Sequence, residues 1–149
     1  LGMSMEVPEG AYEVPIGKAA ICREGSDLTI VAISRMVHEA MAAADQLKDL
    51  GLDVEVIDAR SVQPFDTETV IKSIKKTHRA LIVHEAAKFG GIGGEISAQI
   101  QEQAFDYLDA PVMRVGAPFC PVPFSPVLEE IYIPNADTIV AKVKDTLEL

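Results

Sequence analysis

The chain carries 23 acidic and 13 basic side chains among 149 residues, a formal net charge of −10, with 48% hydrophobic residues. That size and apolar content suit a single domain with a real core. The acidity argues against nucleic acid as a partner, because phosphate backbones demand basic patches, and no apolar run approaches the roughly 18 residues of a membrane span. A charge of this sign suits basic partners as well as plain solubility in the cytosol. Cys22 and Cys120 stand far apart, in neither CxxC nor zinc-ligand spacing, and read as reduced structural thiols of an intracellular protein.

Residues 1–11 read as an extended lead-in, as at a cut through a longer protein, with no signal-peptide pattern. The folded unit is expected over 12–149. KAAICR (18–23) is a candidate edge strand. DLTIVAIS (27–34), a β-rich apolar run after the turn REGSD, predicts a strand. In the segment that follows, Val37, Ala40, Met41, Ala44 and Leu47 recur at helical spacing, with Ser34 as candidate cap and Gly51 as stop. LDVEVIDARS (52–61) predicts a second strand, and Asp66 opens the helix DTETVIKSIKKTHR. There Asp66 and Glu68 suit the positive end, and Lys72, Lys75, Lys76 and Arg79 the negative end. ALIVHEA (80–86) is a third strand, GEISAQIQEQAFDYL (94–108) a helix, and APVMRVGAP (110–118) a fourth strand. A proline-rich connection, FCPVPFSPVLEEIYIP (119–134), leads to a closing helix from Asn135. Strands alternating with helices predict an α/β fold: three layers, with a mixed, mostly parallel sheet of about five strands and helices on both faces.

Four places raise chemical questions. The stretch HEAAKFGGIGGEIS (84–97) holds Gly90, Gly91, Gly93 and Gly94 between a strand and a helix, the context of a phosphate loop. The spacing fails G-x-G-x-x-G, no Lys-Ser/Thr follows for a P-loop, and Glu95 near the helix start repels phosphate. Close approach of another surface is the better use of these glycines. His84 and Glu85 end the third strand, where α/β sheets build sites. Neighbours on a strand face opposite ways, and Ser61 lacks a nucleophile-elbow setting, so buried or interfacial hydrogen bonding is preferred to catalysis. Asp58 and Arg60 are expected to share one strand face, either as a structural ion pair or as a contact to a cofactor or subunit. The stretch VPFSPVLEEIYIP holds Phe124, Tyr132, Glu129 and Glu130 in a stiff connection, which serves as an interface or merely covers the sheet edge. His38 and His78 are read as surface or boundary residues on helices.

Five segments in order, YEVPIGKAAICREGSDLTIVAIS, EVIDARSVQPFD, VHEAAKFGGIGGEIS, LDAPVMRVGAPFCPVPFSP and LEEIYIPNADTIV, carry a resemblance that covers nearly the whole chain from Tyr12 on. The chain resembles the C-terminal domain of the transketolase family, and more closely that of the beta chain of thiamine-diphosphate-dependent 2-oxo acid and acetoin dehydrogenases. Ala59 stands where that family usually has Leu. The resemblance implies a parent oxidoreductase that decarboxylates pyruvate or a branched-chain 2-oxo acid, or cleaves acetoin, and passes the acyl group to lipoyl arms, in the bacterial cytoplasm or the mitochondrial matrix.

It also implies that thiamine diphosphate and magnesium bind in domains absent here, so no catalytic, cofactor or metal ligand is transferred to this chain and the isolated domain is expected to be inactive. The expected role is assembly and docking. The implied partners are the N-terminal domain of the same beta chain, the alpha subunit, a second beta subunit in a heterotetramer, and the basic subunit-binding domain of the acyltransferase core. Asp58, Arg60, His84, Glu85, the four glycines and Glu95 are the interface candidates. Glu129, Glu130, Glu148 and Leu149 are the docking candidates, since opposite charges steer such encounters. Two other readings stay open: the corresponding domain of another transketolase relative, such as a deoxyxylulose-phosphate synthase or a 2-oxo acid:ferredoxin oxidoreductase, and a free-standing α/β ligand-binding module with an anion site at the glycine loop.

Overall fold

A computed structural model of the chain describes residues 6–147. Its five strands are β1 (Ala20–Arg23), β2 (Leu28–Ala32), β3 (Val54–Asp58), β4 (Ala80–Ala87) and β5 (Met113–Ala117). They form one sheet in the order β1-β3-β2-β4-β5. β3, β2, β4 and β5 run parallel, and β1 closes one edge antiparallel to β3. The mixed, mostly parallel sheet anticipated from the alternation of elements is therefore present.

The helices are α1 (Met36–Lys48), α2 (Thr67–Thr77), α3 (Ile92–Ala104), α4 (Pro126–Tyr132) and α5 (Ala136–Leu147), with a 3-10 turn at Phe105–Tyr107. Alternate strand residues feed two cores. Leu28, Ile30, Ala32, Val54, Val56, Leu81, Val83 and Val115 pack under α1 and α5, while Val31, Ile57, Ala80 and Ile82 pack under α2 and α3. A parallel sheet covered on both faces is what such continuous apolar strands require.

Local signals explain most boundaries. Asp66 caps α2, its carboxylate accepting from the Thr69 amide at 3.2 Å, and it also accepts from the Ala19 amide at 3.0 Å. Asn135 does the same for the Thr138 amide at 3.0 Å.

Four expectations need correction. Ser34 does not cap α1: it takes a positive φ of 57°, Arg35 occupies the capping position, and no side chain caps the helix. α3 begins at Ile92, two residues before the expected start at Gly94, so Gly93 lies inside the helix rather than before it. The helix expected to run to Arg79 stops at Thr77, with His78 exposed at the boundary as anticipated, in a left-handed conformation and with its ring Nδ1 bonded to the Tyr107 carbonyl at 2.8 Å. The proline-rich connection contains α4, whose first residue is Pro126, the position where a missing N–H costs nothing.

Candidate functional site

The glycine stretch is built around a ring from its own chain. His84 lies in the carboxyl half of β4 and is 2% exposed. A side chain at Gly93 would meet His84 Nε2 at 2.6 Å, and one at Gly116 would meet Cε1 at 2.8 Å. At Gly91 the obstacles are the Ala87 carbonyl and Cε1 of the same ring. Within the described residues, Gly91, Gly93 and Gly116 thus lie close to the His84 ring of the same chain. Gly94 faces the Arg114 guanidinium. Gly90 turns the chain with φ +70° into open space.

The ring nitrogens have different fates. Nδ1 lies 3.0 Å from the Ala86 carbonyl, which can only accept, so the proton of the neutral ring sits on Nδ1. Nε2 is buried with no hydrogen-bond partner among the described residues. Burial holds the His84 pKa below the ordinary value for histidine, against the bond to Ala86 and with help from the Arg114 cation. The lowered pKa favours the neutral ring. Glu85, next to it, is exposed on the opposite side of the strand, as alternation demands.

Asp58 and Arg60 do not share a strand face. β3 ends at Asp58, and Arg60 lies beyond it with φ 55°. Asp58 accepts the Arg60 amide at 2.9 Å, a local bond that stabilises this sparsely populated backbone. The side chains stay 3.9 Å apart and partly exposed, a geometry worth little to stability. The Ser61 hydroxyl accepts the Gly17 amide at 2.7 Å, so it is committed to the lead into β1. Glu95, exposed on α3, accepts from the Gln99 side chain at 2.9 Å.

The segment from Pro118 to Pro134 forms an arm. None of the α4 residues is buried. Phe119, Phe124, Val127 and Ile131 stand among the exposed large apolar residues of the chain, with Phe124 fully solvated. Phe119 meets Phe89 edge to face at 5.0 Å, and the Tyr132 hydroxyl reaches the Cys120 carbonyl at 3.5 Å, which ties the arm's helix to its start. Between the arm and the sheet lies a crevice of about 1010 Å³, lined by Arg35, Glu85 to Ala87, and arm residues including Phe119, Val122, Glu129 and Tyr132. Its position follows from topology. The chain leaves β2 for α1 on one face and β4 for α3 on the other, and crevices at such a switch point are where open α/β sheets bind ligands. Glu130 lines an adjoining hollow with Arg35, Glu129 and Asn135. Thus Glu85, Glu129 and Glu130 are brought to one region. Asp58 with Arg60 and His84 with its glycines form separate clusters. Glu148 and Leu149 lie outside the described residues.

Sequence reasoning missed a polar cluster at the amino end of the sheet. Glu55, fully buried in β3, accepts from the Ser73 hydroxyl and the Lys76 ammonium. Thr29 joins Ser73 and Thr77, each at 2.6 Å. Lys76 also bonds Glu24 at 2.8 Å; the Glu24 and Glu55 carboxylates raise the Lys76 pKa. The available signal was Glu55, an acid set between two apolar residues of β3.

The glycine stretch does not present an open cradle for a diphosphate. Among the described residues no group of three or more His, Cys, Asp or Glu side chains is placed to hold a metal ion. The space inside the first turn of α3 is taken by the His84 ring, and the acid of that turn is Glu95.

Comparison with known proteins agrees with this architecture. The family described as Transketolase, C-terminal domain, matches residues 17–139. The beta subunit of acetoin:2,6-dichlorophenolindophenol oxidoreductase of Bacillus subtilis is 46% identical over 147 residues, 99% of this chain and 42% of that protein. The pyruvate dehydrogenase E1 component subunit beta of Staphylococcus aureus is 43% identical over 143 residues, 96% of this chain and 44% of that one. The chain therefore spans less than half the length of these relatives. Among solved structures, a split-gene transketolase described as an inactive beta4 tetramer superposes with a TM-score of 0.79 at 30% identity, over 97% of this chain and 45% of its own. A 2-oxoglutarate:ferredoxin oxidoreductase of Magnetococcus marinus, at 12% identity and a TM-score of 0.57, shares the fold. On the family match, the five-stranded sheet and these likenesses, the chain belongs to the transketolase C-terminal domain family.

Proposed function

We propose that the chain is the assembly and docking domain of the beta subunit of a thiamine-diphosphate-dependent 2-oxo acid or acetoin dehydrogenase. The parent enzyme decarboxylates or cleaves its substrate and passes the acyl group to lipoyl arms. Thiamine diphosphate, with magnesium, supplies the carbanion chemistry from a site formed by other domains. This chain positions those domains.

The observation that carries the reading is the arm. A stretch with four prolines between Pro118 and Pro126 holds Phe119, Phe124, Val127 and Ile131 out of the core, on a chain that spans 42% of a beta subunit to which it is 46% identical. A stiff apolar surface of this kind matches a protein interface. The partners are the N-terminal part of the same subunit, the alpha subunit and a second beta subunit. Glu129, Glu130, Glu148 and Leu149 are the proposed contacts for the basic binding domain of an acyltransferase core, by charge complementarity. Asp58, Arg60 and the Phe89–Gly90 turn are the proposed contacts on the sheet's carboxyl edge.

The test is Phe124→Asp with Ile131→Asp in the full-length beta subunit co-expressed with alpha, followed by light scattering after size exclusion and by substrate decarboxylation. Loss of the heterotetramer, with the beta subunit still folded by circular dichroism, is the expected result. An intact, active heterotetramer would refute the assembly role. Gly91→Val is unsuitable here, because its side chain would strike the Ala87 carbonyl and disturb the domain itself.

A further inference from the structure

The His84 ring has no room for a second proton. In the neutral ring Nδ1 donates to the Ala86 carbonyl at 3.0 Å, so an added proton must go to Nε2. That atom is buried and has no partner among the described residues. It faces the first turn of α3, where a side chain at Gly93 would stand 2.6 Å away. A buried donor without an acceptor is costly, and a charged one more so. Nε2 is enclosed by this chain's own residues, so a surface laid over the turn from outside does not reach it.

The charges around the ring do not offset that cost. From β5, Arg114 brings a cation close enough to disfavour a second one. Lys88 follows β4, its carbonyl 3.5 Å from Arg114 Nη1. On β4 itself, Glu85 is exposed on the opposite side of the strand. α3 contributes the partial positive charge of its amino terminus, and the acid of that turn, Glu95, is exposed and engaged by Gln99. In the hollow that Arg114 and Gly116 share with α5, Lys142 and Asp145 are paired with each other. Among the described residues no carboxylate lies within ion-pair distance of the ring.

The structure against the ring is also the part of the fold best able to yield. No side chain caps α3. Residues 90–94 include four glycines, which favour the helical conformation least among residues other than proline. The pairing of β4 with β5 is irregular between Val83 and Ala87. Further along, Ile96, Ile100 and Ala104 anchor α3 in the core. A weakly packed segment beside a well-packed one opens by itself rather than with the whole domain. Phe89, in the turn before α3, meets Phe119 edge to face, so opening extends to the start of the arm.

We propose that a proton on His84 Nε2 is a local acid switch: it opens the first turn of α3 together with the turn at 88–91, parts Phe89 from Phe119, and leaves the sheet and the rest of α3 folded. The closed turn excludes the protonated ring; the open turn lets water reach it. Opening is therefore rare above about pH 6.5, the ordinary histidine value. Below that its equilibrium constant rises, by at most about tenfold per pH unit. The device is internal to the domain, so it is tested independently of assembly through Phe124 and Ile131.

The experiment is amide hydrogen exchange of the chain at pH 7.5, 6.5 and 5.5, each rate referred to the intrinsic rate at that pH, alongside ¹⁵N spectra of the histidine rings. The Lys88 and Gly94 amides report the two turns, being bonded to the Ala117 and Gly91 carbonyls at 2.8 and 3.0 Å. Their protection should fall about 3- to 10-fold from pH 7.5 to 5.5 as Nε2 takes its proton, while amides of β2, β3 and residues 97–104 keep theirs. His84→Gln should abolish the pH dependence. Arg114→Gln, which leaves the ring in place and removes the neighbouring cation, should move protonation and opening together to higher pH. Protonation of the ring with Lys88 and Gly94 still protected would overturn the switch. So would an equal loss of protection in β2 and β3, which would make the event global unfolding. The same loss in His84→Gln, or a midpoint that Arg114→Gln leaves unmoved, would assign the transition to another group and overturn the proposal as well.

Discussion

His84 shows how one side chain dictates its surroundings. Its ring fills the room that side chains at Gly93 and Gly116 would need, so the glycines exist for the ring. In a helix interior, Gly to Ala ordinarily gains up to about 1 kcal/mol. At Gly93 the added methyl meets a buried ring that cannot swing away, and overpacking should reverse the sign, costing about 1–3 kcal/mol. Urea unfolding of Gly93→Ala measures this, and the penalty should vanish in a His84→Ala background; two additive single effects would show that ring and glycine do not interact. The glycine pattern was visible in the sequence, but its reason was not, because Gly116 and His84 are brought together only when β5 joins β4. Asp58 and Arg60 were misjudged for a related cause: alternation along a strand holds only while the strand lasts, and β3 stops at Asp58.

Elements with one dominant signal were legible. β2 and the first half of β4 are apolar runs buried on both faces, β3 is buried with Glu55 among its apolar residues, and the cap residues Asp66 and Asn135 mark true helix starts. α4 was hidden because prolines at 118, 121 and 123 read as a continuous breaker, although Pro126 itself is a good first helical residue. The link between β3 and α2 was hidden for another reason, since a single Glu in a strand does not reveal its partners. Within that cluster the asymmetry is instructive. Lys76 is partly exposed and keeps Glu24, whereas Glu55 is fully enclosed. Lys76→Ala leaves a buried carboxylate short of its counter-ion and should cost about 2–3 kcal/mol. That is less than the roughly 3–5 of a fully buried pair, because water reaches the lysine's place. Glu24→Ala should change stability far less. Guanidinium titrations of both variants decide it, and similar losses would mean that the outer carboxylate, not the inner one, holds the lysine.

At the scale of the molecule, pH reports on the buried ring. A folded-state pKa below that of the unfolded chain means that the unfolded chain takes up the proton first. Stability should therefore be level above about pH 6.5 and fall as pH drops below it, by at most about 1.4 kcal/mol per unit, until the folded ring itself protonates. The lowered carboxyl of Asp66, where hydrogen bonds from Ala19 and Thr69 outweigh the effect of burial, loses its contribution only at more acidic pH. Chemical denaturation at pH 7.5, 6.5 and 5.5, with His84→Gln as the control lacking the slope, checks this; an equal slope in the control would assign it elsewhere. The overall α/β plan, with both faces covered, was legible because it rests on summed patterns, whereas the crevice depends on where crossovers leave the sheet. The His84 ring touches β4, α3 and β5 at once, which has a consequence for how such sequences can diverge. Positions 84, 91, 93 and 116 form a single unit of variation. A smaller residue at 84 should release 93 and 116 to carry side chains, while position 91 stays constrained by the Ala87 carbonyl, so the four are expected to change in a fixed order rather than independently.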